Sequence, residues 1–217
     1  MVKRMTTILC FGDSNTYGYN PGDGFRYGRD VRWPSVMQAL LGNSYEVIEE
    51  GCNGRTGGID NAEEPWNSGL NCILSTFYSH KPVDLLIIML GSNDLKNVFH
   101  ASAEDIVDGV GRIVKTLKAF CAEREMACPA ILLVSPPAIG PDILRSPFAS
   151  DFGLSAITRS KQFPGLFKQL AEKEGCLFFD AATAASVSEL DSLHLTAEAH
   201  KALAGSLAKL IKQKMGF

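Results

Sequence analysis

The chain has 217 residues, of which 46% are hydrophobic and 21% are charged, and its formal net charge is −3. These values are typical of a globular protein with one α/β domain, which we expect to span residues 1–217. The small negative charge argues against a nucleic-acid binder, and no apolar stretch has the length that spans a bilayer. Lys3 and Arg4 precede an apolar run that is too short for the core of a signal peptide. We therefore expect a cytoplasmic protein.

Short apolar segments alternate with amphipathic segments along the chain. Strands are predicted at residues 6–11, 45–50, 83–90, 130–134 and 176–179. Helices are predicted at residues 33–41, 67–79, 103–123, 161–174 and 197–214, with Thr196 as the cap of the last helix. The third strand is continuously apolar, as in a central parallel strand that is covered on both faces. This order predicts an α/β fold with a doubly wound, parallel, five-stranded sheet.

A long segment at about 138–160 breaks this alternation. Its apolar side chains include Ile143, Leu144, Phe148, Phe152 and Leu154. Packing onto a neighbouring subunit or covering a functional site would bury them, and an ordinary surface excursion is the third interpretation. The first interpretation leads us to expect a homo-oligomer.

Polar turns with glycine follow the predicted strands. Gly12-Asp13-Ser14 follows the first strand, Cys52-Asn53-Gly54 the second and Gly91-Ser92-Asn93-Asp94 the third, and Asp191-Ser192-Leu193-His194 precedes the last helix. Open α/β sheets build their sites at the carboxyl edge of the strands, so we expect these turns to converge.

These turns carry the groups that acyl transfer requires. A serine hydroxyl attacks an ester when an imidazole accepts its proton, so Ser14 is the candidate nucleophile and His194 the candidate base. Asp191 stands three residues before His194, where its carboxylate can orient the imidazole. The backbone N–H groups of Ser14 and Gly54 and the side-chain amide of Asn93 can stabilise the negative oxygen of a tetrahedral intermediate. The pattern predicts a serine esterase.

Each of these residues also has a structural interpretation when it stands alone. Asp13 and Asp94 are expected to organise their turns through backbone N–H groups, and Asp94 is the second candidate for the orienting acid. His80, His100 and His200 are expected on polar helix faces, without a catalytic role. The alternative class is a non-enzymatic module that binds a small anion at the glycine turns, but the P-loop and GxGxxG spacings are absent.

The cysteines give no sign of a metal site. Cys10, Cys52, Cys72, Cys121, Cys128 and Cys176 form no CxxC pair and no paired Cys/His spacing. Disulfides are not expected in a reducing compartment. We expect neither a metal nor a cofactor.

The four turns resemble, in order, the four sequence blocks of the SGNH (GDSL-type) hydrolases. The resemblance extends from residue 5 to the final helix, and it implies the SGNH hydrolase fold, a flavodoxin-like three-layer α/β/α sandwich. It implies Ser14 as nucleophile, with Asp191 and His194 as the acid–base pair. It also implies Ser14, Gly54 and Asn93 as the donors of the oxyanion hole.

Longer stretches resemble one branch of that family, the small bacterial arylesterase/acyltransferase group. They lie at residues 8–14, 30–33, 46–51, 84–91, 134–137 and 178–181. This resemblance implies hydrolysis of short-chain, often acetyl, small-molecule esters, some acyl transfer to alcohols or peroxide, and oligomers built partly by the long loop. A carbohydrate O-acetylesterase, or an acyl thioesterase or lysophospholipase with the same triad, is the alternative.

The sequence departs from that branch in two places. Asn15 and Tyr17 stand where the branch often has leucine and tryptophan, and the second block has additional glycine after Thr56. We expect Asn15, Tyr17 and Asn53 to line the acyl pocket and to influence which acyl chain is accepted.

Overall fold

Strands and helices alternate along residues 4–214, the part of the chain that this computed structural model describes. The strands are β1 (Thr6–Gly12), β2 (Tyr45–Gly51), β3 (Leu85–Met89), β4 (Ala130–Ser135) and β5 (Leu177–Asp180). The α-helices are α1 (Ser14–Tyr17), α2 (Trp33–Leu41), α3 (Gly69–His80), α4 (Ala103–Glu123), α5 (Leu154–Ser160), α6 (Phe163–Glu174) and α7 (Ala197–Lys214). The five predicted strands and five predicted helices are all present, with bounds within two residues of the prediction.

All neighbouring strands of the sheet are parallel, in the order β2-β1-β3-β4-β5. This order reverses between β1 and β3, which is where flavodoxin-like sheets place their ligands. Gly12 at the end of β1 is in register with Gly51 of β2 and Met89 of β3. The turns that follow these three strands therefore begin at the same level of the sheet.

Helices cover both faces of the sheet and make three layers. Successive side chains of a strand point to opposite faces, so Leu86 and Ile88 of β3 pack with α3, α4 and α6, while Leu85 and Ile87 pack with α2 and α7. Every residue of β3 is buried, as its continuous apolar sequence predicts. The predicted α/β/α sandwich is confirmed. No helix in residues 4–214 has both the length and the apolar character needed to cross a membrane.

Helix α1 lies directly against the end of β2. A Cβ atom at Gly51 would lie 2.0 Å from the backbone nitrogen of Tyr17, so this close approach requires glycine. The helix begins with a cap from Asp13, whose carboxylate accepts from the N–H of Asn15 at 3.0 Å. Ser14 is thereby fixed as the first residue of α1, immediately above the sheet edge.

The long segment at 138–160 is more ordered than a loop. It ends in α5, which the sequence does not predict, and the hydroxyl of Ser160 accepts from the N–H of Ile139 at 3.0 Å. The N–H of Gly140 donates to the carbonyl of Ser192 at 2.7 Å. The segment is therefore attached to the turn that carries Asp191 and His194.

Candidate active site

Hydrogen bonds join Ser14, His194 and Asp191 at the carboxyl edge of the sheet. Nε2 of His194 lies 2.9 Å from Oγ of Ser14, and Nδ1 of His194 lies 2.7 Å from Oδ2 of Asp191. These distances fit an imidazole that donates from Nδ1 to the carboxylate and accepts the serine hydroxyl at Nε2. Ser14 is 7% exposed, Asp191 2% and His194 3%. A proton can pass from the hydroxyl to the imidazole in a site that is closed to most solvent.

Asp191 is held by the turn that it begins. Its Oδ1 accepts from the N–H groups of Leu193 at 3.0 Å and His194 at 2.9 Å. Burial would raise the pKa of Asp191, but the hydrogen bonds from the His194 side chain and backbone outweigh burial and hold the pKa below its ordinary value. Asp191 therefore stays ionised and keeps the imidazole oriented.

The other two carboxylates of the site bind backbone groups instead. Both oxygens of Asp94, the second candidate for the orienting acid, accept from the N–H of Gly57, at 3.0 and 2.8 Å. Burial raises the pKa of Asp13 and of Asp94 to about 7 in each case. Asp13 caps its own turn at the start of α1, whereas Asp94 binds the turn that follows β2 and joins it to the turn after β3.

The three candidate oxyanion donors line one cavity with His194. Ser14 is the first residue of α1, so its N–H has no partner within the helix. Gly54 has φ +78° in a turn closed by the N–H of Arg55, which donates to the carbonyl of Cys52 at 3.2 Å. Such a positive φ suits glycine. Nδ2 of Asn93 gives one hydrogen to the carbonyl of Arg55 at 3.1 Å and keeps the other.

This cavity, which we call the catalytic pocket, has a volume of about 110 Å³. Its lining residues are Ser14, Tyr19, Asn53, Gly54, Asn93, Lys96, Phe148, Phe152, Leu193 and His194. The ring of His194 packs between Tyr19, at 4.2 Å between centroids, and Phe148, at 5.3 Å. The pocket is small, and aromatic rings form much of its wall.

Two of the three residues predicted to line the acyl pocket do not line it. Asn15 is buried, and its amide is fully used: Nδ2 donates to the carbonyl of Leu193 at 3.2 Å and Oδ1 accepts from the N–H of Leu195 at 2.9 Å. Tyr17 does not line the pocket, and its ring packs against the guanidinium of Arg26, at 4.4 Å from the ring centroid. The prediction is wrong for Asn15 and Tyr17 because successive helical residues point in different directions. Asn53 does line the catalytic pocket.

Phe148 and Phe152 of the pocket wall come from the long segment, for which covering a functional site is one interpretation of the apolar sequence. The other wall residues are not predicted. Tyr19 and Lys96 stand close to Ser14 and Asn93 in the sequence, and nearness to those blocks is their only signal. Leu193 stands inside the fourth block.

The prediction that His200 lies on a polar helix face is wrong. This residue is fully buried, its ring meets that of Tyr27 edge-on at 5.5 Å between centroids, and its Nδ1 accepts from the N–H of Trp33 at 3.4 Å. Burial lowers the pKa of His200 to about 4, so the ring is uncharged. His80 instead binds Glu50, at 2.8 Å from Nε2 to Oε1, and the exposed His100 follows a short 3-10 turn at φ 48°.

A second cavity of about 520 Å³ shares Lys96 with the catalytic pocket. We call it the outer cavity. Its lining residues are Asp60, Asn61, Ala62, Glu63, Lys96, Asn97, Val98, Phe99, Ser150 and Asp151. The ammonium of Lys96 lies 3.4 Å from the carboxylate of Asp151. Asp60 and Glu63 add two further carboxylates, so the lining has more negative than positive charge. No group of three or more metal-ligating side chains occurs in the described part of the chain.

Comparisons with known proteins agree with this architecture. Residues 10–202 match the GDSL-like lipase/acylhydrolase family. The chain is similar to Est24, a carbohydrate acetylesterase from Sinorhizobium meliloti, with 34% identity, a TM-score of 0.89, and coverage of 96% of this chain and 99% of that chain. It is similar to the aryl esterase of M. smegmatis, with 34% identity, a TM-score of 0.88 and the same coverage, 96% and 99%. A further solved structure shares 38% identity at a TM-score of 0.92, covering 98% of this chain and 100% of its own. Comparison with curated protein sequences finds no match.

Proposed function

The chain belongs to the GDSL-like lipase/acylhydrolase family, and on that basis we propose that it is a serine esterase that hydrolyses short-chain, acetyl-type esters of small molecules. The observation that carries the proposal is the pair of hydrogen bonds that join His194 to Ser14 and Asp191, at 2.9 and 2.7 Å, beside a pocket lined by the three candidate oxyanion donors. An orienting acid, a base and a nucleophile in this order form the constellation of serine hydrolases.

In the first half of the reaction, Oγ of Ser14 attacks the ester carbonyl carbon while Nε2 of His194 takes the hydroxyl proton. The negative oxygen of the tetrahedral intermediate accepts hydrogen bonds from the N–H groups of Ser14 and Gly54 and from Nδ2 of Asn93. Collapse of the intermediate breaks the bond to the alcohol oxygen, which receives the proton from His194. The products of this half are the free alcohol and an acyl ester on Ser14.

In the second half, water gives a proton to Nε2 of His194 and attacks the acyl carbon. The second tetrahedral intermediate collapses, Oγ of Ser14 regains the proton, and the carboxylic acid leaves. The ionised Asp191 stabilises the imidazolium in both halves. An alcohol or peroxide in place of water would give acyl transfer.

The size of the catalytic pocket supports a short acyl chain. A volume of about 110 Å³ is far below the several hundred Å³ of a typical drug-sized ligand site. Phe152 is buried in the hydrophobic core, so a longer acyl chain does not easily displace this part of the pocket wall.

A carbohydrate O-acetylesterase is the second candidate, and the outer cavity supports it. Seven of its ten lining residues are polar, which suits a hydroxyl-rich alcohol. Asp60, Glu63 and Asp151 outnumber the single cation Lys96 there. The excess of negative charge disfavours the phosphate groups of an acyl-CoA or a lysophospholipid, so a thioesterase or lysophospholipase has less support.

A homo-oligomer and a cytoplasmic location stay predictions. Leu144 and Leu154 of the long segment are exposed, and a second copy of the chain would cover them. Light scattering over a wide concentration range tests the oligomer.

The variant Ser14→Ala tests the proposed function. We expect hydrolysis of p-nitrophenyl acetate to fall by at least about 10³-fold and labelling by a fluorophosphonate to disappear, while the circular dichroism spectrum stays unchanged. Ser75→Ala, at an exposed position of α3, is the matched control and should keep both activities. Hydrolysis by Ser14→Ala at the wild-type rate would refute the proposal. Release rates from acetylated oligosaccharide, aryl acetate and acetyl-CoA at equal concentration separate the candidate substrates.

A further inference from the structure

The guanidinium of Arg55 is buried behind the oxyanion donors. The residue is 7% exposed, and none of the ion pairs among residues 4–214 includes it. Instead, Nη1 donates to the carbonyl of Gly12 at 3.0 Å and also to the carbonyl of Glu50. The guanidinium lies 4.3 Å from the ring centroid of Phe11. A cation that is removed from water without a carboxylate partner is costly for folding and is therefore rare.

Arg55 contacts each of the three segments that carry an oxyanion donor. Gly12 stands two residues before Ser14, and Glu50 stands just before the turn that presents Gly54. The backbone of Arg55 closes that turn and accepts the hydrogen bond from Asn93 at 3.1 Å. One residue thus links the ends of β1 and β2 to the turn that follows β3.

The hydrogen bond to Asn93 also decides which end of its amide is available. A carbonyl oxygen accepts only from a donor, so the carbonyl of Arg55 binds Nδ2 and not Oδ1. One hydrogen of Nδ2 is used in this way, and the second is free for the oxyanion. Without a fixed carbonyl at Arg55, the amide could rotate its oxygen towards the negative charge and repel it.

The positive charge of Arg55, like its hydrogen bonds, favours binding of the oxyanion. A positive charge near a developing oxyanion stabilises it most where water is excluded. Asp13 is also buried close to Arg55. Burial raises the pKa of Asp13 to about 7, and the positive charge of Arg55 lowers that pKa by a smaller amount. No direct ion pair with Asp13 cancels the charge of Arg55 in the described structure.

We propose that Arg55 is a positioning residue for the oxyanion hole, which aligns the donors of Ser14, Gly54 and Asn93 and adds positive charge behind them. This inference depends on the serine-esterase function proposed above. Arg55 would stabilise the transition state and not the bound substrate, so loss of its side chain should lower kcat with little change in KM.

The test compares Arg55→Met and Arg55→Lys with the control Arg112→Met. Arg112 also donates from its guanidinium to a backbone carbonyl of this region, that of Gly58 at 2.7 Å, but it does not contact a donor segment. For p-nitrophenyl acetate we expect Arg55→Met to lower kcat by about 10²-fold, near the effect of deleting one oxyanion donor. The rate of phosphonylation by a fluorophosphonate should fall by a similar factor, since that reaction needs the same donors. Arg55→Lys keeps the charge and one donor group, so its kcat should fall by about tenfold. The kcat of Arg112→Met should stay within about threefold of the wild type.

Rescue by added guanidinium chloride distinguishes positioning from folding. A further variant, Arg55→Ala, leaves room for a guanidinium ion, so guanidinium at millimolar concentration should raise its kcat and leave kcat of the matched control Arg112→Ala unchanged. If Arg55→Met does not fold, Arg55→Lys still decides: wild-type kcat in that variant overturns the inference. An equal loss in Arg112→Met, or a loss confined to KM, overturns it too. If Ser14→Ala is inactive while the Arg55 variants keep full kcat, only this inference fails and the proposed function stands.

Discussion

Asn15 should determine the position of His194 and not the acyl specificity. In Asn15→Ala, the carbonyl of Leu193 and the N–H of Leu195 both lose their partner inside the protein. A buried polar group left unpaired costs about 1–3 kcal/mol, and water can enter the space of the lost side chain, so we expect about 2–4 kcal/mol in total. For a chain of this size, that loss lowers Tm by about 5–15 °C.

The effect on catalysis follows from the same two hydrogen bonds. They hold the backbone on both sides of His194, and displacement of a catalytic group by about 1 Å can cost 10²-fold in rate. We expect kcat to fall by about 10- to 100-fold, with KM within about threefold of the wild type. Because Asn15 does not line the catalytic pocket, the ratio of kcat/KM for p-nitrophenyl acetate to that for the butyrate should not change.

Urea unfolding and steady-state hydrolysis of the two esters measure these quantities. Asn53→Ala is the matched control, because Asn53 is exposed and lines the pocket. It should change the acetate-to-butyrate ratio and leave stability unchanged. The reasoning would be refuted by an Asn15→Ala protein of wild-type stability whose ratio shifts by tenfold or more, since that result would make Asn15 a pocket residue.

Two further predictions concern the pocket wall and the buried histidine. Removing the half-buried ring in Phe148→Ala should raise kcat/KM for p-nitrophenyl butyrate relative to acetate by at least about tenfold, because butyrate has two more methylenes and each is worth about tenfold or more in an apolar pocket; an unchanged ratio would exclude this wall from the acyl site. Burial, with smaller effects of His194 and Arg32, lowers the pKa of His200 from 6.5 to about 4, so the stability that the neutral ring contributes is present above pH 6.5 and is lost as pH falls towards 4. His200→Gln does not titrate, so the stability difference between wild type and variant in urea unfolding should shrink by about 2 kcal/mol from pH 7.5 to pH 5. The opposite contribution of carboxyl groups with raised pKa is common to both proteins and cancels in the difference; a constant difference would contradict the burial argument.

The elements and the positions of Ser14, Asn93 and His194 could be predicted because they depend on local signals. An apolar strand that ends in a glycine turn marks the edge of a parallel sheet, and the register of Gly12 with Gly51 and Met89 brings such turns to one level. The direction in which a side chain points after the turn could not be predicted in this way. Helix α1 has four residues, too few for a periodic pattern that would show where Asn15 points.

The remaining differences arise from contacts between distant parts of the chain. Asn15 binds backbone groups 178 and 180 residues away. His200 is the exception, because its helical spacing places it on the same buried face of α7 as Leu203, Ala204 and Leu207, and this pattern is visible in the sequence. The position of Phe148 depends on the path of the long segment, which the hydrogen bond from Gly140 to Ser192 helps to set. The two hydrogen bonds of Asn15 and the exact path of the long segment have no signal within a short stretch of sequence.

The separation of Ser14 and His194 along the chain has a consequence for biosynthesis. Ser14 and His194 are 180 residues apart, and a ribosome adds about 5–20 residues per second, so about 10–40 s separate their synthesis. During that time the serine has no base to accept its proton. If His194 is the base, as proposed, a nascent or C-terminally truncated chain is expected to be inert towards esters, and hydrolysis should first appear when β1 and the end of the chain have come together.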